Sequence, residues 1–378
     1  MNVPLIDLRL QHEFLRAELV AAIERVLDSQ LFILGPEVKT LEEEVALYSQ
    51  SEQAIGCASG SDAVLLALMA LGVTSSDEVI TSPFTFFATG SAIARVGARP
   101  VFVDIDPRTY NLDVARVEEA ISPRTRAIMP VHLYGHCADM NPLLEIGERH
   151  QVPIVEDAAQ ALGSEDHGRR AGAMGKLGCF SFYPTKNLGG AGDGGMVTTD
   201  DRELADRLRR LRVHGAADEY HHSEIGINSR LDTLQAAVLR VKLKYLESWS
   251  EERRKKAATY DQMFQDAELE FDLVPPFVRP LTRHIFHQYV VRVPAHRDSM
   301  IRYLARHGVG TKIYYPLPLH LQECFEYLGY KEGAFPEAER AARETFALPC
   351  FPELTEVQQQ YVVDTIRGFQ VRDLPATV

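Results

Sequence analysis

Lys186 lies in the run FSFYPTKNLGGAGDGG, just after an apolar stretch and among small residues. A lysine so placed can form a Schiff base, provided its surroundings lower its pKa enough to leave a neutral amine. Most lysines are solvated surface groups, so position alone does not assign this one. A second group strengthens the case: VPIVEDAAQ sets Asp157 at the end of a strand-like run, where a buried carboxylate can hold a heteroaromatic ring nitrogen protonated. Taken alone, Glu156 or Asp157 could equally cap a turn. The third part is Ser59-Gly60-Ser61-Asp62, between the run QAIGCA and a helical pattern that begins near Ala63. Free N–H groups at a helix start, with hydroxyls beside them, bind a phosphate dianion, and a serine there is also an ordinary N-cap.

A Schiff-base lysine, a carboxylate for a ring nitrogen and a phosphate cradle are together the parts of a pyridoxal phosphate site. Phe86 could stack on the pyridine ring; Phe84 or Phe87 could fill the same place, and each could be plain core.

The elements that must position these groups are legible around them. Between residues 53 and 199, β-rich runs (QAIGCAS, DEVITS, RPVFVDI, RAIMPVHL, VPIVEDAA) alternate with helical patterns (SDAVLLALMALG, FATGSAIARVG). That alternation predicts an α/β fold with a mostly parallel sheet covered by helices. Ligands collect at the carboxyl ends of such strands, where residues 59–62, 82–86, 156–160 and 181–186 stand. From Asp232 the pattern DTLQAAVLRVKLKYLESWSEERRKKAATYDQMF predicts one long helix linking two domains, with the mixed run at 251–256 as its solvated face. Beyond it, IFHQYVVRVP reads as a strand, SMIRYLARHG as a helix, VGTKIYY as a strand and EVQQQYVVDTIRGF as a closing helix. The chain therefore divides into a large domain, 1–245, with an N-terminal helical segment, and a smaller α+β domain, 246–378.

Composition narrows the partners. A net charge of -13 over 378 residues opposes binding to nucleic acid or an anionic membrane. The five cysteines, Cys57, Cys137, Cys179, Cys324 and Cys350, are odd in number and form no CxxC pair, as expected of reduced thiols in a cytoplasmic protein. Asp7, Arg9 and Glu13 occupy the place of a signal peptide's apolar run, and the longest apolar stretch, 63–72, is too short to span a bilayer. Gly190, Gly192 and Gly195 match GxGxxG but lead into the strand-like GGMVTT, so they read as a tight loop rather than a dinucleotide site. His132 and His136 are four apart, yet the segment runs from strand into a loop at Gly135 without an HExxH pattern, and no metal site is expected.

The runs SGSDAVLLAL, EDAAQALGS, FSFYPTKNLGGAGDGGMVTTDD, IGINSRLDTLQAAVL and YYPLPLHLQ resemble the DegT/StrS family of PLP-dependent nucleotide-sugar aminotransferases, within the fold type I (aspartate aminotransferase) superfamily. The resemblance covers nearly the whole chain. It implies that Lys186 carries pyridoxal 5'-phosphate, that Asp157 meets the ring nitrogen and that Gln160 touches the ring or its 3-hydroxyl. Gly60, Ser61 and Ser181 would hold the phosphate, Phe86 would stack, and Asn228 would reach the phosphate of the other subunit in a homodimer with shared sites. Ser61 stands where the family usually has threonine, which keeps the hydroxyl.

The resemblance also implies the chemistry. A minority branch replaces the lysine with histidine and removes a sugar hydroxyl; Lys186 is retained here, so transamination is expected. Glutamate would leave its amino group on the cofactor as pyridoxamine 5'-phosphate, with Lys186 moving the proton, and the amino group would pass to a keto sugar carried by a nucleotide. Tyr183, Tyr220, His221, His222, Arg230, Tyr314, Tyr315 and His320 resemble positions lining the sugar pocket. FILGPEV and YHHSEIGINSRLDTLQAAVL look more like relatives that aminate C3 than C4. A 4-keto substrate, a sugar dehydratase and a non-catalytic regulator on the same scaffold are the competing readings.

Overall fold

The computed structural model describes residues 1–218, 220–269 and 271–369; the last nine residues of the C-terminal part lie outside them. Two helices, α1 (Leu8–Ser29) and α2 (Pro36–Ser49), precede an alternating series: β1 (Gln53–Cys57), α3 (Gly60–Ala70), β2 (Glu78–Thr81), α4 (Phe87–Arg95), β3 (Arg99–Phe102), β4 (Thr125–Met129), α5 (Met140–His150) and β5 (Val155–Asp157). A short hairpin, β6 (Glu165–Asp166) and β7 (Arg169–Arg170), leads to β8 (Leu177–Ser181), β9 (Gly195–Thr199), α6 (Arg202–Leu211) and α7 (Thr233–Leu243). Then come α8 (Leu246–Asp266), β10 (Thr282–Arg283), β11 (Tyr289–Arg292), α9 (Arg297–Arg306), α10 (Pro336–Glu344), β12 (Thr345–Leu348) and α11 (Glu356–Arg367).

The ladders β1-β9-β8-β5 and β3-β2-β4 are joined by parallel bridges Ile128–Ile154 and Val131–Asp157. They form one sheet of mostly parallel strands in which β9 alone runs against its neighbours. Side chains alternate between its faces, as strand geometry requires. Ala54, Ile80, Ile128, Phe180 and Met196 pack toward α2, α5 and α7, whereas Ile55, Val79, Ala127, Cys179 and Val197 pack toward α3, α4 and α6. A third core gathers Tyr260, Tyr289, Leu304, Phe346 and Val362, and Val3 joins it through a bridge to Val309.

Three expectations are corrected. The helix predicted from Asp232 breaks between α7 and α8: Tyr245 N–H turns back to the Lys242 carbonyl at 3.0 Å, while its hydroxyl donates to Glu18 at 2.7 Å. No glycine or proline marks that break, so the apolar period runs through it. VGTKIYY is not a strand. Among the described residues its pairings are single bridges, Val309 to Val3 and Lys312 to Ala347 of β12, while the full ladder on β12 is made by β11. Within the charged run 251–256, Arg253 is buried rather than solvated, since it faces the third core while Arg254 and Lys255 pair with Glu251 and Glu252.

Candidate active site

The carboxyl end of β5 carries two acids into opposite environments. Glu156 is fully buried and accepts from the N–H groups of Gly172, Met174 and Gly175 at 2.8, 2.8 and 2.6 Å and from His132 Nε2 at 2.8 Å. Burial pushes its pKa up, but these donors outweigh it and hold the carboxyl below its ordinary value. It is a structural carboxylate that ties the 172–175 loop to the sheet. Asp157 is also buried, with fewer donors: Thr89 Oγ1 on α4 at 2.7 Å and Ala159 N–H at 3.3 Å. Here burial prevails and its pKa is raised, against the pull of Thr89, Ala159 and Lys186.

Lys186 follows β8, its N–H closing a turn on the Tyr183 carbonyl at 2.8 Å. The loop beyond it is pinned by Ala191 N–H on Gln235 Oε1 and by Lys242 Nζ on the Gly189 carbonyl, both at 2.8 Å. Burial pushes the Lys186 pKa down to about 8, with Asp157 opposing that shift. A lysine so displaced has a usable fraction of neutral amine near neutral pH.

The 59–62 turn serves both of its readings. Ser59 caps α3 by accepting from Asp62 N–H at 3.1 Å. The first-turn N–H groups of Gly60 and Ser61 still lack intrahelical acceptors. A Cβ at Gly60 would lie 2.5 Å from the Ser181 Cβ, so the helix start and the end of β8 meet only because residue 60 has no side chain. The result is a pair of free N–H groups at the start of α3, with Ser61 beside them and Ser181 facing them from the end of β8, which fits a phosphate group.

Residues 14–367 match the model of the DegT/DnrJ/EryC1/StrS aminotransferase family. The chain belongs to this family. It is 52% identical to a pleiotropic regulatory protein of Geobacillus stearothermophilus (98% of this chain, 99% of that one). It is 45% identical to the dTDP-3-amino-3,4,6-trideoxy-alpha-D-glucose transaminase of Streptomyces venezuelae (98% and 97%) and 44% identical to the UDP-N-acetyl-3-dehydro-alpha-D-glucosamine 3-aminotransferase of Acidithiobacillus ferrooxidans (97% of each). Among solved structures, DesV of S. venezuelae superposes with a TM-score of 0.93 at 45% identity, covering 97% of this chain and 98% of that one. The protein is thus a PLP-dependent aminotransferase of fold type I, and its lysine, buried aspartate and phosphate cradle fit that cofactor.

The remaining positions divide. Of the three phenylalanines, Phe84 is buried against Tyr110 and Tyr315, and Phe87, though exposed, lies against Phe325 and away from Tyr315. Phe86 is 55% exposed, its ring centroid 6.0 Å from that of Tyr315, which leaves its ring available to a ligand. Gln160 has protein partners at both ends of its amide: Oε1 accepts from Tyr134 N–H at 2.7 Å and Nε2 donates to the Tyr315 hydroxyl at 3.0 Å. Tyr314 and Tyr315 are half-buried, Tyr183 and Asn228 exposed, and Arg230 half-buried. Tyr220 is exposed, while His221 and His222 are held by Asp218 and the His214 carbonyl.

His320 departs from expectation. Its side chain is wholly buried, with Nε2 on Glu339 Oε1 at 3.0 Å and its ring edge-on to Phe335, so it braces α10 and presents no surface to a sugar. His132 is bound to Glu156, and His136 stacks on His284 at 5.0 Å. Gly190 and Gly192 lie in the loop before β9, where a Cβ on either would meet Gln235 at 2.9 Å. Among the described residues no helix is long and apolar enough to cross a membrane.

Sequence reasoning missed Thr89, the donor to Asp157. It stands in the first turn of α4, four residues after Thr85, whose hydroxyl lies 2.9 Å from its own. Its signal was present, since polar groups beyond a strand's carboxyl end are the ones to read.

Proposed function

We propose that this enzyme transfers the amino group of glutamate to the C3 keto group of a nucleoside-diphosphate-linked hexose. The observation that carries this reading is that two relatives, 45% and 44% identical over nearly the full chain, are both named for an amino group at sugar position 3. The site offers what the chemistry needs. Pyridoxal phosphate, when bound, supplies an electron sink for a negative charge developing at the substrate carbon.

Everything else is work for the chain's own groups. Asp157, steadied by Thr89, would keep the cofactor's ring nitrogen protonated. Gly60, Ser61 and Ser181 would hold its phosphate, and Phe86 would be free to stack on its ring. Lys186, with a pKa near 8, carries the cofactor and then moves the proton at the substrate carbon as a neutral amine. Gln160 sets the Tyr315 hydroxyl. Tyr183, Arg230, Tyr314 and Tyr315 line the sugar nucleotide, with the Arg230 guanidinium suited to the diphosphate. Asn228, exposed on this chain, reaches the cofactor phosphate of a second copy, so the working unit is a homodimer. The five unpaired cysteines suit a reducing cytoplasm.

A regulatory reading has one observation behind it, the name of the 52%-identical relative; a pure binding protein has no use for a lysine of lowered pKa beside a buried aspartate. The test is a panel of 3-keto and 4-keto nucleotide sugars, incubated with the PLP-loaded enzyme and glutamate and analysed for amino sugar and 2-oxoglutarate. The proposal requires turnover of a 3-keto substrate. Preferential turnover of 4-keto sugars would move the amination to C4, and no turnover of any would favour the regulator.

A further inference from the structure

Asn187, next after Lys186, is 8% exposed. Its Oδ1 accepts from His287 Nδ1 at 3.0 Å, while its Nδ2 is buried without a partner among the described residues. A buried amide donor left unpaired is costly. Asn187 and Lys186 line the same cavity of about 10 Å³, which Gln11, Trp249 and Arg253 also border; it has room for a group the size of one water or one amine.

His287, just before β11, is held from two sides. Arg253 on α8 donates Nη1 to the carbonyls of Phe286 and His287 at 3.4 Å and to that of Cys350. This buried guanidinium makes no ion pair among the described residues. Burial, then the charges of Lys186 and Arg253, push the His287 pKa well below its ordinary value. The ring is therefore neutral, and because the Asn187 oxygen that faces Nδ1 can only accept, the tautomer that fits carries its proton on Nδ1, which leaves the Asn187 nitrogen turned elsewhere.

A neutral amine accepts a hydrogen bond through its lone pair and an ammonium cannot. We propose that Asn187 Nδ2, oriented by His287, donates to the Lys186 amine whenever that amine is free of the cofactor, holding it in place and keeping it neutral. Asn187 and His287 are thus positioning residues for the lysine. This deepens the reading of Lys186 as the cofactor-bearing residue and rests on it. The other charged and titratable groups around the lysine are Asp157 from β5, Arg253 from α8, and Asp7 and Glu353 on the cavity wall.

The test uses the full chain stripped of cofactor. The rate at which PLP attaches to Lys186 is followed by visible absorbance across a pH series, in the wild type, His287→Leu, Asn187→Leu and His287→Asn, with thermal melting as the folding control. The wild-type midpoint should fall near 8. Both leucine variants should raise it by roughly one pH unit, the worth of one hydrogen bond, and combining them should add nothing further. His287→Asn, which can keep a donor where Nδ1 stands, should restore the wild-type midpoint. Folded leucine variants with an unshifted midpoint would overturn the proposal. If the wild type attaches no PLP through Lys186, the assignment of the lysine itself fails, which is a separate and recognisable result.

Discussion

Thr89 donates its hydroxyl to Asp157 Oδ2 across 2.7 Å, and that bond decides how readily a buried carboxyl stays ionised. Burial alone raises the Asp157 pKa, and Thr89 is the strongest of the contacts that pull it back. Thr89→Val keeps the shape and removes the donor. The Asp157 pKa should then rise further, by roughly one unit for one lost hydrogen bond to a charged group. Since only the carboxylate can hold the ring proton, the acid limb of the kcat profile should move to higher pH by about the same amount. An unmoved acid limb would show that Asp157 does not govern it.

Gly60 is where the helix start and the end of β8 come closest. A Cβ there would lie 2.5 Å from the Ser181 Cβ and 2.9 Å from its hydroxyl, so Gly60→Ala must push the two walls of the cradle apart. Overpacking of this kind costs roughly 1–3 kcal/mol. PLP should bind the alanine variant about tenfold to a hundredfold more weakly in a fluorescence titration, whereas Ser61→Thr should bind it as the wild type does.

The two substitutions probe a site whose parts were unequally legible. Lys186, Asp157 and the 59–62 turn could be proposed from sequence because each stands at, or within a few residues of, the carboxyl end of an apolar strand. Phe84 was set apart from Phe86 and Phe87 only by the structure, since three aromatics within four residues carry no sign of which one is buried; Phe86 differs from Phe87 in standing against Tyr315 rather than Phe325. His320 was misassigned because its partner, Glu339, is nineteen residues away, and no local pattern reports that distance. Arg253 sat in a run of charges whose other members are solvated; its partners are main-chain carbonyls, which every residue has. The break at Tyr245 was invisible for a related reason, since no glycine or proline marks it and the residue that Tyr245 meets there, Glu18, lies far off in sequence on α1.

Acid should destabilise the fold through its buried imidazoles. His136, His284 and His287 all have pKa values lowered by burial, His136 to about 3. In the unfolded chain each titrates near 6.5. Between those values the unfolded state binds more protons, so stability falls as pH drops below about 6.5. At pH 5 the loss is roughly 2 kcal/mol for each histidine that stays neutral in the fold. Urea midpoints at pH 7.5 and 5.5 measure it, and the midpoint should be lower at the acid pH. An equal or higher midpoint there would mean that these rings are protonated in the folded state.

The central claim is that Lys186 carries pyridoxal phosphate and that the enzyme takes an amino group onto it. The visible spectrum of the purified protein with PLP, before and after glutamate and beside Lys186→Ala, tests this most directly. The account predicts a visible band of lysine-linked cofactor in the wild type, its loss on adding glutamate with release of 2-oxoglutarate, and neither event in the variant. A wild type without that band, or a Lys186→Ala protein that still converts glutamate at a comparable rate, would contradict it.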